Sequence, residues 1–287
     1  MSFRILTDSC SDLSDDLVVS LNVSVVPMQV NFRGTFFEEG DGFISLPDLY
    51  AALRAGEVST TSAINPDRWG REMEQILQKG EDVLVLAFSS GLSTTYHSAA
   101  LAAEEMAEKY PDRKIRVVDT LCASMGQGLL VWYAAKKRDE GLTLDEAADW
   151  VENNKLHLCH WFTVDDLMYL KRGGRVSAAT ALVGTMLNIK PVLHVDDEGH
   201  LINVSKVRGR KASLDALIAK FAALGKDNDN ETVFISHGDC LEDAKYVERV
   251  VKEKYGVKNV FINYVGAVIG SHSGPGTMTL FFMGDHR

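Results

Sequence analysis

Apolar and polar residues follow two alternating patterns in the first half of the chain. Short apolar runs, such as residues 3–6 and 82–88, are typical of strands covered on both faces of a sheet. Between such runs lie stretches with a helical period, for example residues 94–109. Strands and helices that alternate at this spacing predict a parallel sheet with helices on both sides.

Residues that favour helix N-caps stand at the predicted helix starts. Ser45 and Asn65 each precede a proline of the first helical turn, and Thr143 precedes a helix that runs to about residue 154. Asp12 is predicted to cap a helix over about residues 13–21. Residues 23–32 are predicted to be extended.

The second half has a mixed pattern. Strands are predicted at residues 157–164 and in a hairpin over 192–207 that turns at 197–199. Helices are predicted at 176–187, 213–224 and 241–255, and two final strands flank the loop 271–276. The sequence therefore predicts an α/β protein of two domains, a parallel-sheet α/β domain (1–155) and an α+β domain (156–287).

The composition is that of a folded protein with an acidic balance. The chain is 46% hydrophobic and carries 40 acidic against 30 basic residues, a net charge of −10. General nucleic-acid binding needs clustered positive charge and is not expected. Residues 171–211 hold eight basic and three acidic residues, so this window is +5 and the remainder −15. The window is either a docking surface for an anionic partner or a solvated face.

Cysteine usage and hydropathy predict a soluble cytoplasmic protein. The four cysteines are far apart and show no zinc-ligand spacing, which favours a reducing compartment. The acidic N-terminal segment lacks the apolar core of a signal peptide. Residues 259–284 contain no Asp, Glu, Lys or Arg, but Gly, Pro and His interrupt them, which predicts two strands around a polar loop.

The motifs of common enzymes are missing. The chain has no phosphate loop, dinucleotide fingerprint, nucleophile elbow or metal-binding motif, so no catalytic or metal site is predicted. Asp8 follows the first strand, where phosphatases place a nucleophile, but Cys10 stands where their second aspartate would be. A phosphotransferase or hydrolase that uses Asp8 or His272 on a small polar substrate is the alternative function.

Loops rich in hydroxyl groups are the positive signal. Residues 89–96 join a predicted strand to a predicted helix, and residues 60–66 precede another helix. In an open α/β sheet, ligands bind beyond the carboxyl ends of the strands, and helix N-termini favour anions. Arg172 and Arg175 either face an anion or surround two glycines that end a helix. From these patterns alone we expect an anion-binding α/β protein.

Eight motifs in this order resemble the DegV family of bacterial fatty-acid-binding proteins. They span nearly the whole chain: TDSCSDL (7–13), TS with a later Pro (61, 62 and 66), SSGLSTTYHSA (89–99), VDTLCASMGQG (118–128), DDLMYLKRGGRVS (165–177), LNIKPVL (187–193), KVRGRK (206–211) and GAVIGSHSGPGT (266–277).

The resemblance implies a two-domain fold with a fatty acid, such as palmitate, in an interior tunnel. It implies that Thr61 and Ser93 bind the carboxylate, with Ser62 and His272 near it. Some members of the family are non-catalytic subunits that present the acid to a separate ATP-dependent kinase, which makes acyl-phosphate for phospholipid synthesis. The docking candidates for such a kinase, or for transient contact with a membrane surface, are Arg172, Arg175, Arg208 and Arg210.

The chain departs from the family pattern at two places. Ala63, Ile64 and Asn65 follow the TS pair where Gln-Pro-Ser is usual, and Thr94 stands where Gly is common. Both changes leave the predicted hydroxyl donors in place. A third hypothesis, a regulatory module with an incidental cavity, predicts that no stoichiometric ligand accompanies the purified protein.

Overall fold

A computed structural model describes residues 3–177, 188–225 and 230–287. The strands in these ranges are β1 (Phe3–Asp8), β2 (Val23–Val26), β3 (Gln29–Phe32), β4 (Thr35–Glu38), β5 (Ser59–Ser62), β6 (Asp82–Ala87), β7 (Ile115–Asp119), β8 (Leu158–Thr163), β9 (Ile189–Val195), β10 (Leu201–Arg208), β11 (Thr232–His237), β12 (Asn259–Tyr264) and β13 (Met278–Met283). The helices are α1 (Asp15–Ser20), α2 (Leu46–Arg54), α3 (Pro66–Leu77), α4 (Thr95–Lys109), α5 (Met125–Asp139), α6 (Leu144–Asn154), α7 (Leu167–Arg172), α8 (Arg210–Leu224), α9 (Leu241–Tyr255) and α10 (Ala267–Ser273). The predicted helix 176–187 lies outside the described residues except for its first two positions.

Four strands form the predicted parallel sheet, in the order β2-β1-β6-β7. Every residue of β6 is buried, and successive side chains enter different cores. Val83 and Val85 pack in one core with Trp69 of α3, whereas Leu84 packs in another with Leu129 of α5. The apolar run in β6 therefore reflects helices on both faces, as predicted.

Pro27 divides the segment that was predicted to be extended. β2 joins the parallel sheet, and β3 turns away to form a three-stranded antiparallel sheet in the order β4-β3-β5. Proline has no N–H to donate to a strand ladder, so a break there is expected. In the second sheet Thr61 is in register with Val30.

The third sheet has six strands in the order β10-β9-β8-β13-β11-β12. β11 and β12 are parallel and the other neighbours are antiparallel, so the predicted mixed character is confirmed. The predicted hairpin is formed by β9 and β10. The strands of the first two sheets precede residue 155, and those of the third sheet follow it. The domain boundary at this residue stays a prediction.

Three of the four predicted N-caps are confirmed. Ser45, Asn65 and Thr143 accept hydrogen bonds from backbone N–H groups of the first helical turn. The prediction for Asp12 was wrong, because Ser14 caps α1. Asp12 has a left-handed backbone (φ 50°), and its carboxylate accepts a hydrogen bond from the backbone N–H of Gly266 at 3.0 Å.

Helix α10 crosses from the end of the chain into the core of the first half. Ala267 and Val268 are buried there beside Tyr50. Residues 271–273 were predicted to be loop but form the last turn of this helix. The uncharged segment 259–284 thus consists of strand, short helix and strand. Across the described ranges, none of the helices combines the length and the apolar character that crossing a membrane requires.

A hydrogen bond from Tyr50 to the segment before α10 helps to hold this helix in place, and a substitution at Tyr50 measures its contribution. Its buried hydroxyl donates to the carbonyl of Val265 at 2.8 Å. We expect Tyr50→Phe to lower the free energy of unfolding by about 1–3 kcal/mol, because a buried carbonyl loses its donor. Chemical denaturation measures the change. The control Tyr255→Phe, at a partly buried tyrosine at the end of α9, should cost less than about 0.5 kcal/mol. Equal effects would contradict this role.

Candidate functional site

A cavity of about 390 Å³, the first cavity, lies among α10, the loop after β6 and the six-stranded sheet. Its volume is within the range of small-molecule sites. Most of its wall is apolar: Met28, Phe88, Leu92, Phe162, Leu170, Val195, Leu201, Val265, Val268, Ile269 and Phe281. Thr61, Ser93, Arg175 and His272 also line it.

Thr61 and His272 meet in this wall although 211 residues separate them. Thr61 Oγ1 lies 2.7 Å from His272 Nε2. Burial, with a smaller effect of the Arg175 charge, lowers the pKa of His272 to about 4. The imidazole is therefore neutral at pH 7, and the Nε2-protonated tautomer would leave the Thr61 hydroxyl hydrogen free for a ligand.

Gly173 is needed to make room for the histidine. A Cβ at this position would lie 2.2 Å from His272 Nδ1, closer than any side chain can approach. Gly173, in the segment KRGGR (171–175), therefore does more than end α7. It lets the backbone after that helix approach the imidazole ring.

Ser93 lies two residues before the start of α4, next to the predicted helix boundary. Its Oγ accepts a hydrogen bond from the Thr95 N–H at 3.2 Å and lies 2.8 Å from Thr95 Oγ1. If Thr95 donates in this pair, the Ser93 hydrogen remains available. Thr94 is exposed at the N-cap position and makes no capping bond with its side chain.

Arg175 lies in the wall beside these groups. Its Nη2 and Nε donate to the Leu92 carbonyl at 3.0 and 3.2 Å, and its Nη1 donates to Gly173. These contacts link Arg175 to the residue before Ser93 and to the glycine that touches His272. Thr61, His272, Arg175 and Ser93 are therefore grouped on one side of the cavity.

Ser62 and the other predicted docking arginines lie elsewhere. Ser62 is exposed and outside the cavity wall, because neighbouring residues of a strand face opposite sides and Thr61 faces inward. Arg172 is exposed and stacks on Tyr169 with 4.9 Å between guanidinium carbon and ring centroid. Arg208 is exposed on the edge strand β10.

Arg210 is held by acidic partners. Its Nε lies 2.8 Å from Asp243 and its Nη1 lies 3.6 Å from Asp165. Only about a quarter of its side chain is exposed. Arg208 is therefore the more accessible charge of this pair.

Sequence reasoning missed a second polar group in the wall. Ser124 and Thr279 both line the first cavity and both bond to Ser236, with oxygen separations of 2.7 Å. Ser124 also donates to the carboxylate of Asp12. The VDTLCASMGQG motif contains Ser124, but nothing local distinguishes it from a helix-start serine.

Asp8, the nucleophile of the alternative function, is surrounded by groups that give it a role in the fold. It is completely buried, and its carboxylate accepts hydrogen bonds from the N–H groups of Phe88 at 2.8 Å and Cys10 at 3.1 Å. Burial raises its pKa to about 7. Asp8 joins β1 to the loop after β6 and is absent from the wall of the first cavity. In the described part of the chain no three His, Cys, Asp or Glu side chains are grouped to hold a metal ion.

Known proteins resemble the chain over its whole length. The family model described as "Uncharacterised protein, DegV family" matches residues 2–285. A DegV domain-containing protein of Clostridium perfringens is 44% identical over 286 residues, which cover 99% of this chain and 98% of that protein.

Solved structures share the fold. A fatty-acid-binding DegV family protein from Thermus thermophilus is 32% identical with a TM-score of 0.88, covering 99% of this chain and 100% of that chain. The Fatty Acid Kinase B3 protein of Streptococcus pneumoniae, loaded with linoleic acid, has a TM-score of 0.85, and the match covers 99% of this chain and 100% of that chain. Its identity is 22%, so this likeness concerns the fold alone.

The protonation state of His272 can be measured directly. A histidine in the unfolded chain takes up a proton near pH 6.5, whereas folded His272 does so near pH 4. Stability contributed by the neutral ring is therefore complete above pH 6.5 and is lost as the pH falls towards 4. We expect its ring NMR signals to titrate with a midpoint near 4, with His272→Gln identifying them. A midpoint near 6.5 would contradict the buried, neutral assignment.

Proposed function

The chain belongs to the DegV family, and from this premise we propose that it binds one long-chain fatty acid in the first cavity. The acyl chain contacts the apolar wall, and the carboxylate accepts hydrogen bonds from Thr61 and Ser93. The cavity wall supports this function, because it is apolar along most of its surface and groups Thr61, Ser93, His272 and Arg175 on one side. The fatty acid bound by the Thermus thermophilus protein supports the ligand class.

The energetics favour such a ligand. About fourteen methylenes, as in palmitate, contribute about 11 kcal/mol at about 0.8 kcal/mol each when they leave water. Loss of ligand freedom and desolvation of the carboxylate each cost several kcal/mol. Two or three hydrogen bonds to the carboxylate, at about 1.5–3 kcal/mol each, offset the head-group cost. The tail therefore supplies affinity and the hydroxyl groups supply orientation.

Arg175 adds a charge to the predicted neutral head-group site. Its guanidinium makes three hydrogen bonds to backbone carbonyls, which hold it in place. A guanidinium has five N–H donors, so it retains capacity for an anion. We infer that its positive charge favours the ionised acid or an acyl-phosphate without needing a bidentate pair with the carboxylate.

We further propose that the protein presents the carboxyl group to a separate ATP-dependent kinase. Thr94 and Ser62, the neighbours of the two carboxylate-binding residues, are both exposed. The head group would therefore lie close to the protein surface, where a second protein can reach it. In this function the chain itself carries no catalytic group. The kinase makes the acyl-phosphate, which enters phospholipid synthesis.

The contribution of Thr61 is tested with an isosteric variant. Thr61→Val removes one hydrogen bond to a charged group, so palmitate affinity should fall by roughly 10- to 100-fold. Competition with a fluorescent fatty acid measures the change. The controls Thr60→Val and Ser62→Ala alter the exposed face of the same strand and should bind normally. Normal affinity in Thr61→Val would refute the proposed carboxylate contact.

The docking surface is tested at Arg208. Arg208→Glu reverses an exposed charge, so acyl-phosphate formation with a purified fatty-acid kinase should fall several-fold, and more at low salt. The amount of fatty acid that copurifies, measured by mass spectrometry, should not change. Lys79→Glu, a reversal at an exposed position after α3, serves as the control. Transfer by Arg208→Glu at the control rate would rule this surface out.

A further inference from the structure

A second cavity, of about 470 Å³, lies apart from the first. Its wall comes from the turn after β1 (Ser9–Ser11), the loop between β4 and α2, and the junction of β12 with α10. Among the described residues none lines both cavities. The proposed function assigns no role to this space.

The second cavity is strongly acidic. Asp12, Asp15, Glu39 and Asp41 line it, and no Lys, Arg or His is among its lining residues in the described part of the chain. In those same ranges none of the four carboxylates pairs with a Lys or Arg, whereas 21 such ion pairs occur elsewhere. Buried carboxylates normally have a charged or hydrogen-bonding partner. None of the described lining residues supplies a positive charge, although Asp12 and Glu39 accept hydrogen bonds from the N–H groups of Gly266 and Val268.

Two buried oxygens in this wall lack a donor. Ser11 is 1% exposed, and its Oγ has no hydrogen-bond partner among the described residues. The same holds for Glu39 Oε2, although Oε1 of this carboxylate accepts a bond from the Val268 N–H at 3.0 Å. Leaving such acceptors unpaired costs about 1–3 kcal/mol each, so a ligand that donates to them gains this energy.

The carboxylates also repel each other. Burial, with a contribution from Glu39, raises the pKa of Asp12 against hydrogen bonds from Ser124 and Gly266. Burial likewise raises the pKa of Glu39, against hydrogen bonds from Ser9, Val268 and Ala267. A cation in the cavity would favour the ionised form of both groups. The electrostatics therefore point in the same direction as the two unpaired oxygens.

The chemistry of the wall distinguishes an organic cation from a metal ion. The described side chains offer no group of three or more ligands arranged for a metal. Phe37, Ile44 and Leu46 supply an apolar surface that a bare ion would not use but a short carbon chain would cover. An ammonium group carries three N–H donors, which suit the Ser11 and Glu39 oxygens.

We propose that the second cavity binds a small organic ammonium ion, which donates hydrogen bonds to Glu39 and Ser11 and packs its carbon chain against Phe37, Ile44 and Leu46. Asp15 and Asp41 are exposed and form the rim of the site. A diamine can place its second ammonium group there. None of its described lining residues belongs to the first cavity, so this proposal does not depend on fatty-acid binding.

Calorimetric titration with 1,4-diaminobutane tests this site in the full chain as purified. We expect saturable binding of one molecule per chain and no binding of 1,4-butanediol, which has a similar length and no charge. Glu39→Gln should lower the affinity for the diamine at least about tenfold, since it removes a charged acceptor. Asp15→Asn, at the rim, should weaken it several-fold. Glu104→Gln, at an exposed acid on α4, should bind as the unmodified chain does.

Three results would overturn the site. These are no saturation at millimolar 1,4-diaminobutane, equal binding of the diol, or unchanged affinity in both Glu39→Gln and Asp15→Asn. Thermal unfolding of each variant shows whether it is folded. If Glu39→Gln does not fold, the exposed Asp15→Asn decides the matter together with the comparison between diamine and diol.

Discussion

The fixed position of α10 is the constraint on which the site depends. At its start, the N–H groups of Gly266 and Val268 donate to Asp12 and Glu39, each at 3.0 Å. At its end, His272 contacts Thr61. These anchors hold a helix from the last part of the chain inside the core of the first half.

The same helix separates two cavities of opposite character. The first has a mostly apolar wall with hydroxyl groups, a neutral histidine and an arginine on one side. The second has four carboxylates and no basic lining residue within the described ranges. Ser124 connects them, because it lines the first cavity and donates to Asp12 in the second. A change in the charge of Asp12 would therefore act on the proposed lipid site through its hydrogen bond with Ser124.

Local signals predicted much of the fold. Ser45, Asn65 and Thr143 cap their helices by bonds within one turn, and the apolar run of β6 reports burial on both faces. Asp12 shows where such reasoning fails. A cap and a long-range anchor use the same residue type, and only the distant Gly266, 254 positions away, distinguishes them.

The sequence predicted the kinds of residue that form the site, but not how they are arranged around one cavity. Thr61, Ser93 and His272 were predicted through the family motifs, and all three line one cavity. Ser62 faces away from the cavity, because side chains alternate along β5. The sequence did not predict β5, so this alternation could not be assigned. Arg175 had two open interpretations, and its position depends on the Leu92 carbonyl, 83 residues away. These relations arise from packing between distant segments.

The most direct test is a crystal structure of the protein with palmitate bound. Our account predicts an acyl chain along the apolar wall of the first cavity, with its carboxylate oxygens within about 2.6–3.2 Å of Thr61 Oγ1 and Ser93 Oγ. A carboxylate placed instead beside Ser124 and Thr279, or palmitate bound outside this cavity, would contradict it.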